Sequence, residues 1–340
     1  MRMVNMIALA GCILACSALF VRRTSQRTSA YAIQDLGTLG GNTSIAYAVN
    51  NQGDVVGQAE SGEGANHAFL WSHGGMRDLG GLMDPFTKET NSSAETTATS
   101  INDQGRIVGD ADTGYGSVNG NPRGVYHAVL WRDDTISDLG TLSGFPDSTA
   151  VKINATGLIL GRAIQQEDRP RTHGYKDRTF FYKGGRIWSF SDSFNDQDVN
   201  DQGQGVGWRR RSGRIYVVLS NHQRVHELGP VVRGYVVENL AINNSGRIAM
   251  TLGKWNGEND RSSYGLIPSQ SLVWQSGRWQ KLSGLPSQPE TVVSGMNSSG
   301  LIVGQTRTIL NNANSLNQDA TAVLWQNSSV KGLCCINRFW

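Results

Sequence analysis

The residue types that could act on a ligand gather in a few short stretches of this 340-residue chain. Arg169, Arg171, His173 and Tyr175 lie in one segment, Arg209, Arg210 and Arg211 in a second, and Trp255 with Glu258 and Asp260 in a third. An aromatic platform beside hydrogen-bonding groups suits a carbohydrate or a peptide, and clustered guanidinium groups suit carboxylate or phosphate. Arg169, Arg171, His173, Tyr175, Arg210 and Trp255 are therefore the binding candidates. Charged loops in solvent contain such residues singly, so the case depends on their sharing one face of the fold.

Lys152, Asp196 and Asp198 form a separate group. Carboxylates alternate through Asp196-Gln197-Asp198-Val199-Asn200 as they do in a calcium loop, but Asp201 stands where such a loop needs Gly, and Gly207 where it needs a bidentate Glu. No metal is expected there. Lys152 and Asp198 instead fall at matching positions of a repeat, which predicts an ion pair near the axis of the fold, since buried charges occur mostly in pairs. His67 and His127 also share one slot in successive units, a periodicity that packing or hairpin hydrogen bonding explains and a catalytic pair would not need. The sequence has no Gly-x-Ser-x-Gly, no His-Glu-x-x-His and no phosphate loop, so neither a catalytic residue nor a cofactor is expected.

The elements that must position these groups come from a repeat. An apolar strand, Asn-x-x-Gly and a second apolar strand recur at Asn50/Gly53, Asn102/Gly105, Asn154/Gly157, Asn200/Gly203, Asn243/Gly246 and Asn297/Gly300. Asn first and Gly fourth mark a tight hairpin turn whose last residue is left-handed. A third strand follows each hairpin, as in His67 to Trp71 or Ala322 to Trp325, and a short polar turn leads to a fourth ending at Leu79, Leu139, Phe190, Leu228, Leu282 or Leu333. Four short strands in roughly 45 to 55 residues match one blade of a propeller. The expected fold is all-β: a six-bladed β-propeller of four-stranded antiparallel blades over 31–340, with an open arc of the same units as the alternative. Tyr31 to Leu36 reads as a stray fourth strand and is expected to close the ring within the last blade, in competition with Val330 to Leu333.

The loop lengths divide the two faces. First-to-second and third-to-fourth turns are short, whereas Asp110 to Gly124, Ala163 to Asp177, Leu252 to Pro268 and Arg307 to Asp319 read as long second-to-third loops, joined by Gly80 to Thr97 between blades. One face is bare and the other elaborated, and the elaborated face is the expected binding face.

Composition bounds the rest. A net charge of +3 is too small to imply nucleic acid as a partner. The apolar run from Val4 to Val21, with Arg2 before it and Arg22, Arg23 and Arg27 after it, predicts export. Residues 1–30 are then a cleaved signal peptide, an uncleaved anchor, or a lipoprotein signal in which Leu9-Ala10-Gly11-Cys12 presents Cys12 for lipidation; membrane attachment would run through this segment alone. Cys12, Cys16 and the adjacent Cys334 and Cys335 give neither a disulfide framework nor zinc spacing.

Asp35-Leu36-Gly37-Thr38-Leu39-Gly40-Gly41, then Ala48-Val49-Asn50-Asn51-Gln52-Gly53-Asp54-Val55-Val56-Gly57, then His67-Ala68-Phe69-Leu70-Trp71 and Asp78-Leu79-Gly80 resemble the HAF-type extracellular repeat family of bacteria. The match extends through Asp138-Leu139-Gly140-Thr141-Leu142 and weakens afterwards, where the third strands lose His-Ala-Phe and Ile248-Ala249-Met250 replaces Ile-Val-Gly. The resemblance implies an exported, propeller-like repeat protein and supplies no chemistry. Together these features lead to the expectation of a monomeric extracellular or cell-envelope binding module for a carbohydrate or protein, with a propeller enzyme acting on extracellular glycans and a purely structural surface protein as the other two readings.

Overall fold

Each Asn-x-x-Gly is a turn fastened by its own asparagine. The Gly N–H donates to the Asn carbonyl at 2.9–3.2 Å in all six copies. Gly53, Gly105, Gly157, Gly203, Gly246 and Gly300 hold φ between 71 and 86°, the left-handed region that a side chain resists. The Asn Oδ1 accepts main-chain N–H groups within the turn: Asn154 takes those of Thr156 and Leu158 at 3.0 and 2.9 Å. With the turn fixed in this way, the apolar residues on either side enter one antiparallel register.

In the computed structural model the described residues are 34–83, 94–113, 117–118, 121–122, 124–169, 172–189, 195–212, 214–221, 224–230, 235–254, 270–308, 320–326 and 329–333. The chain divides into residues 1–35 and a compact unit of 36–340, which holds all strands among the described residues. Its first blade is β1 (Gly40–Val49), β2 (Val55–Ser61), β3 (Asn66–Ser72) and β4 (Gly75–Asp78). The second is β5 (Thr96–Ile101), β6 (Ile107–Asp112), β9 (Tyr126–Arg132) and β10 (Thr135–Gly140), with a two-stranded excursion of β7 (Ser117–Val118) and β8 (Asn121–Pro122). The third is β11 (Asp147–Ile153), β12 (Ile159–Arg169), β13 (Thr172–Lys183) and β14 (Arg186–Trp188). The fourth is β15 (Asn195–Val199), β16 (Gly205–Arg211), β17 (Arg214–Asn221) and β18 (Arg224–Pro230). The fifth is β19 (Tyr235–Ile242), β20 (Ile248–Lys254), β21 (Gln270–Gln275) and β22 (Arg278–Lys281), and the sixth is β23 (Glu290–Met296), β24 (Ile302–Arg307), β25 (Ala320–Gln326) and β26 (Ser329–Gly332). Six sheets of four antiparallel strands make a six-bladed β-propeller.

The Gly of the recurrent Ile-Val-Gly has a steric cause. β1, β5 and β23 each carry a bulge just before the Asn. A Cβ on Gly57, Gly109 or Gly304 would lie 1.9, 1.8 or 2.0 Å from the carbonyl oxygen of Ile45, Thr97 or Val292 in the bulged strand. The fifth blade has Met250 at that place, and its bulge moves upstream, between Val237 and Asn239. The sequence departure in this blade is thus a shifted bulge within an intact sheet.

Blades join through their first strands, which approach one another closely enough to bond and so lie innermost. Thr99 Oγ1 donates to Ala150 O at 2.7 Å, and Asn239 Nδ2 donates to Val293 O at 3.1 Å. Apolar clusters fill the junctions between consecutive blades: Val56 and Ala68 against Ile101 and Ala98, Val108 against Ile153, Leu160 against Val199, Val206 against Ile242, and Ala249 against Val293. The turn asparagines cross the same junctions. Asn102 Nδ2 donates to Asn154 O, Asn154 to Asn200 O and Asn200 to Asn243 O, at 3.1, 2.8 and 3.0 Å.

One expectation about closure is corrected. The sixth blade takes its fourth strand from Ser329–Gly332, paired in register with β25, while residues 34–36 belong to no strand. A hairpin to the adjacent β25 costs far less chain entropy than recruiting a strand from the opposite end of the sequence. Tyr31 to Ile33, like the apolar N-terminal segment with Cys12 and Cys16, and like Cys334 and Cys335, lie outside the described residues.

Candidate functional site

The axial group is the best defined of the sequence candidates. Ala48, Ser100, Lys152, Asp198, Ala241 and Gly295 occupy one position around the inner strands, each opposite the matching residue of its second strand. Small residues dominate it, and the two charged ones are neighbours. Lys152 Nζ stands 3.7 Å from Asp198 Oδ1. Asp198 also accepts from Ile242 N at 2.9 Å through Oδ2 and from its neighbour Val199 N at 2.9 Å through Oδ1. Burial pushes the Asp198 carboxyl above the usual range, and Lys152 with the two N–H groups works in the opposite direction. One carboxylate thereby ties the third, fourth and fifth blades together, a structural use that leaves it no free oxygen. Asp196 pairs with Gly207 through the backbone, and its side chain is outside the described set.

The elaborated face differs from its expected form in two blades. The segment read as a loop from Ala163 to Asp177 is a continuous antiparallel ribbon, paired from Ile159↔Tyr182 out to Arg169↔Thr172. Arg169 and Tyr175 lie on its strands, as does His173, which pairs with Asp168; Arg171 falls outside the described residues at the tip. The stretch Gln165-Gln166-Glu167-Asp168-Arg169 lacks the apolar alternation by which a strand is recognised. Arg209, Arg210 and Arg211 are likewise strand residues, ending β16 before a tight turn at Ser212 (φ 50°). Arg209 pairs with Glu227 of β18, and Arg210 is exposed opposite Ile215. Trp255 lies outside the described residues.

Two further sets of polar residues are paired, the first being the recurring histidines, whose hairpin hydrogen bonding was one of the two readings of their periodicity. His67 Nδ1 meets Asp78 Oδ2 at 2.6 Å, and His127 Nδ1 meets Asp138 Oδ2 at 2.8 Å; the second oxygen of each carboxylate accepts from Gly80 N or Gly140 N at 2.7 Å. The first residue of His-Ala-Phe is therefore the partner of the first residue of Asp-Leu-Gly, and the equal spacing of eleven residues was the available signal. The hydrogen bond that His127 donates to the Asp138 carboxylate raises the His127 pKa, while Asp138 itself is drawn below the usual range by His127 and Gly140 despite its partial burial. The second set lies between the second and third blades. Tyr126 Oη donates to Glu95 Oε2 at 2.9 Å, and Thr149 Oγ1 donates to Asp110 Oδ2 at 2.6 Å. Burial raises both the Tyr126 phenol and the Asp110 carboxyl. Among the described residues no group of three or more His, Cys, Asp or Glu side chains could hold a metal ion.

A groove of about 300 Å³ lies on the other side, between the first two blades, lined by Arg77, Asp78, Gly80, Trp131 and Asp134. Its polar groups already serve one another: Arg77 pairs with Asp134 at 3.0 Å, Trp131 Nε1 donates to Gly80 O at 3.3 Å, and Asp78 holds His67.

No protein-family model and no curated protein matches the chain in sequence. Among solved structures it is similar to the acylaminoacyl peptidase of Pyrococcus horikoshii, with a TM-score of 0.52 at 11% identity over 86% of this chain and 45% of the other. It is also similar to the β-propeller domain of the Trilobed protease from Pyrococcus furiosus, with a TM-score of 0.43 at 9% identity over 87% of this chain and 100% of that domain. The chain thus spans less than half the length of the peptidase, and at such identities the likeness concerns the fold.

Proposed function

We propose that the chain is an exported, monomeric binding module of the HAF type that takes a carbohydrate or a peptide on its elaborated face, at the ribbon of the third blade. The observation that carries this reading is the contrast in length: β12 and β13 run for 11 and 12 residues, whereas β16 and β17 of the next blade run for 7 and 8. A paired ribbon places Arg169, His173 and Tyr175 at fixed register positions, which lowers the ordering cost of binding relative to a loose loop. Supporting it, the recurrent Asn, His and Asp side chains are engaged within the scaffold and are not offered to a ligand. No reaction is assigned to the site.

The test is a glycan and peptide array probed with the full chain and with Arg171→Ala and Tyr175→Ala. A ligand bound by the parent and lost by at least tenfold in both variants supports the reading. Retained binding in both variants, or an array with no ligand at all, overturns it.

A further inference from the structure

We infer that the sixth blade closes onto the first through the same contact that joins every other pair of consecutive blades. In the structure these two blade faces expose the residues that the other junctions bury. The second-strand position that looks toward the next blade is Val56, Val108, Leu160, Val206 and Ala249 in the first five blades, all 0% exposed; in the sixth it is Val303, 42% exposed. The residue just before the turn Asn, which looks back at the preceding blade, is Ile101, Ile153, Val199 and Ile242, exposed by 8, 4, 4 and 5%; in the first blade it is Val49, exposed by 64%. Leu333 of the sixth blade is 36% exposed where Leu139 and Leu282 are 6 and 3%.

The polar fastenings at this seam are complementary as well. The turn Asn of each of the first four blades donates through Nδ2 to the carbonyl of the next turn Asn, and Asn243 donates to that of Ser298, one residue further on. Asn297 Nδ2 has no such acceptor among the described residues, and it lies exposed where Asn102, Asn154 and Asn200 are buried. The carbonyl that the pattern assigns to it is that of Asn50. A second fastening runs from a third-strand N–H to a hydroxyl six residues before the next turn Asn: Ala68 N to Thr96 Oγ1, Ala128 N to Ser148 Oγ and Ser271 N to Thr291 Oγ1, at 2.7, 2.8 and 2.7 Å. Ser44 holds that place in the first blade. It donates to Gly37 O at 2.7 Å, as Ser148 donates to Gly140 O at 2.8 Å, so its oxygen is oriented to receive an N–H. The residue matched to Ala68 in the sixth blade is Ala322, whose carbonyl accepts from Leu333 N at 2.8 Å as that of Ala68 accepts from Leu79 N at 2.9 Å.

The two faces therefore fit each other. They belong to one chain, and for tethered surfaces the effective concentration reaches the millimolar range, well above the micromolar level of a second copy in solution. A second copy would use the same faces head to tail and would grow an open string instead of a closed ring. The occupant of the seam is thus the molecule's own sixth blade.

Asn51 bonds to Asp103 of the next blade through its main-chain N–H and its amide at 2.9 and 2.7 Å, and the residue matched to Asn51 on the sixth blade is Ser298. The test pairs Ser298→Cys with Asn51→Cys in a full chain whose 4 native cysteines are replaced by Ser. Asn51→Cys with Asp103→Cys in the same background is the control. Both pairs sit on exposed turns and leave the core intact. On oxidation at micromolar concentration, closure gives an intramolecular disulfide in the seam pair to an extent comparable with the control. Cross-linking of the control without the seam pair overturns the inference. So does a seam disulfide found only between chains with a yield that rises with concentration, the outcome expected of a second copy.

Discussion

The Asn154 turn and the third-blade ribbon sit at opposite ends of the same strand, β12, and they use side chains in opposite ways. At the turn, both polar atoms of the Asn154 side chain are engaged: Oδ1 accepts from Thr156 N and Leu158 N, and Nδ2 donates to the next blade. At the ribbon, Gln165, Asp168 and His173 pair through their backbones, and such pairing makes no demand on residue type. The difference teaches where variation is free. Residues that recur hold the ring, and the end of the blade that does not recur is the end at which the binding proposed above is placed.

The contrast predicts a graded series of losses. The largest should follow removal of the ring packed at the root of the ribbon: Phe180 is 0% exposed, and a Cβ on Gly161 would lie 2.2 Å from it. Phe180→Ala should lower stability by about 3–5 kcal/mol in urea unfolding. Asn154→Ala comes next, at about 2–3 kcal/mol, because buried N–H groups lose their acceptor and the junction loses a bond. Asn297→Ala sharpens this figure: with the ring closed it should approach the same cost, and a loss of less than about 1 kcal/mol would favour an open seam.

The His127–Asp138 pair should give a smaller effect with a pH signature. The His127 pKa is raised in the folded protein, so its contribution is complete below the ordinary value of 6.5 and fades as pH rises through the raised pKa. Asp138 is lowered, so its contribution is present above 3.8 and is lost as pH falls through the depressed value. His127→Ala should thus cost most in mildly acidic buffer, up to about 1 kcal/mol for so accessible a pair, and less in alkaline buffer. A pH-independent difference in melting temperature would refute the assignment. The smallest effect belongs to the ribbon: Tyr175→Ala should change stability by less than about 0.5 kcal/mol while removing binding.

Much of the ring was legible because its turns need particular residues. Only Asn supplies both an acceptor for the turn and a donor across the junction, and only Gly tolerates the fourth position, so the periodic pairs Asn50/Gly53 to Asn297/Gly300 fixed the blade count and the strand order. The Lys152–Asp198 contact was legible for the same reason, since matched positions in adjacent blades must lie side by side. The ribbon was hidden because strand pairing through Glu167↔Gly174 and Asp168↔His173 is made by backbone groups, and the residues there carry no apolar alternation to reveal it. The segment 31–36 misled in the opposite way. It has the residues of a fourth strand, yet the choice between it and Ser329–Gly332 depends on chain connectivity, which residue types do not record.

The clasp between blades also bears on how such a chain can change over generations. Asn102 and Asn154 donate to main-chain carbonyls, and a carbonyl is present whatever residue stands there. The receiving blade needs no matching mutation to keep the bond. A duplicated unit therefore arrives with its fastening already compatible with its neighbour, and the two copies can drift apart in sequence while each retains one Asn. The third to sixth blades carry no His-Ala-Phe yet each has its turn asparagine, the composition that such independent drift would leave.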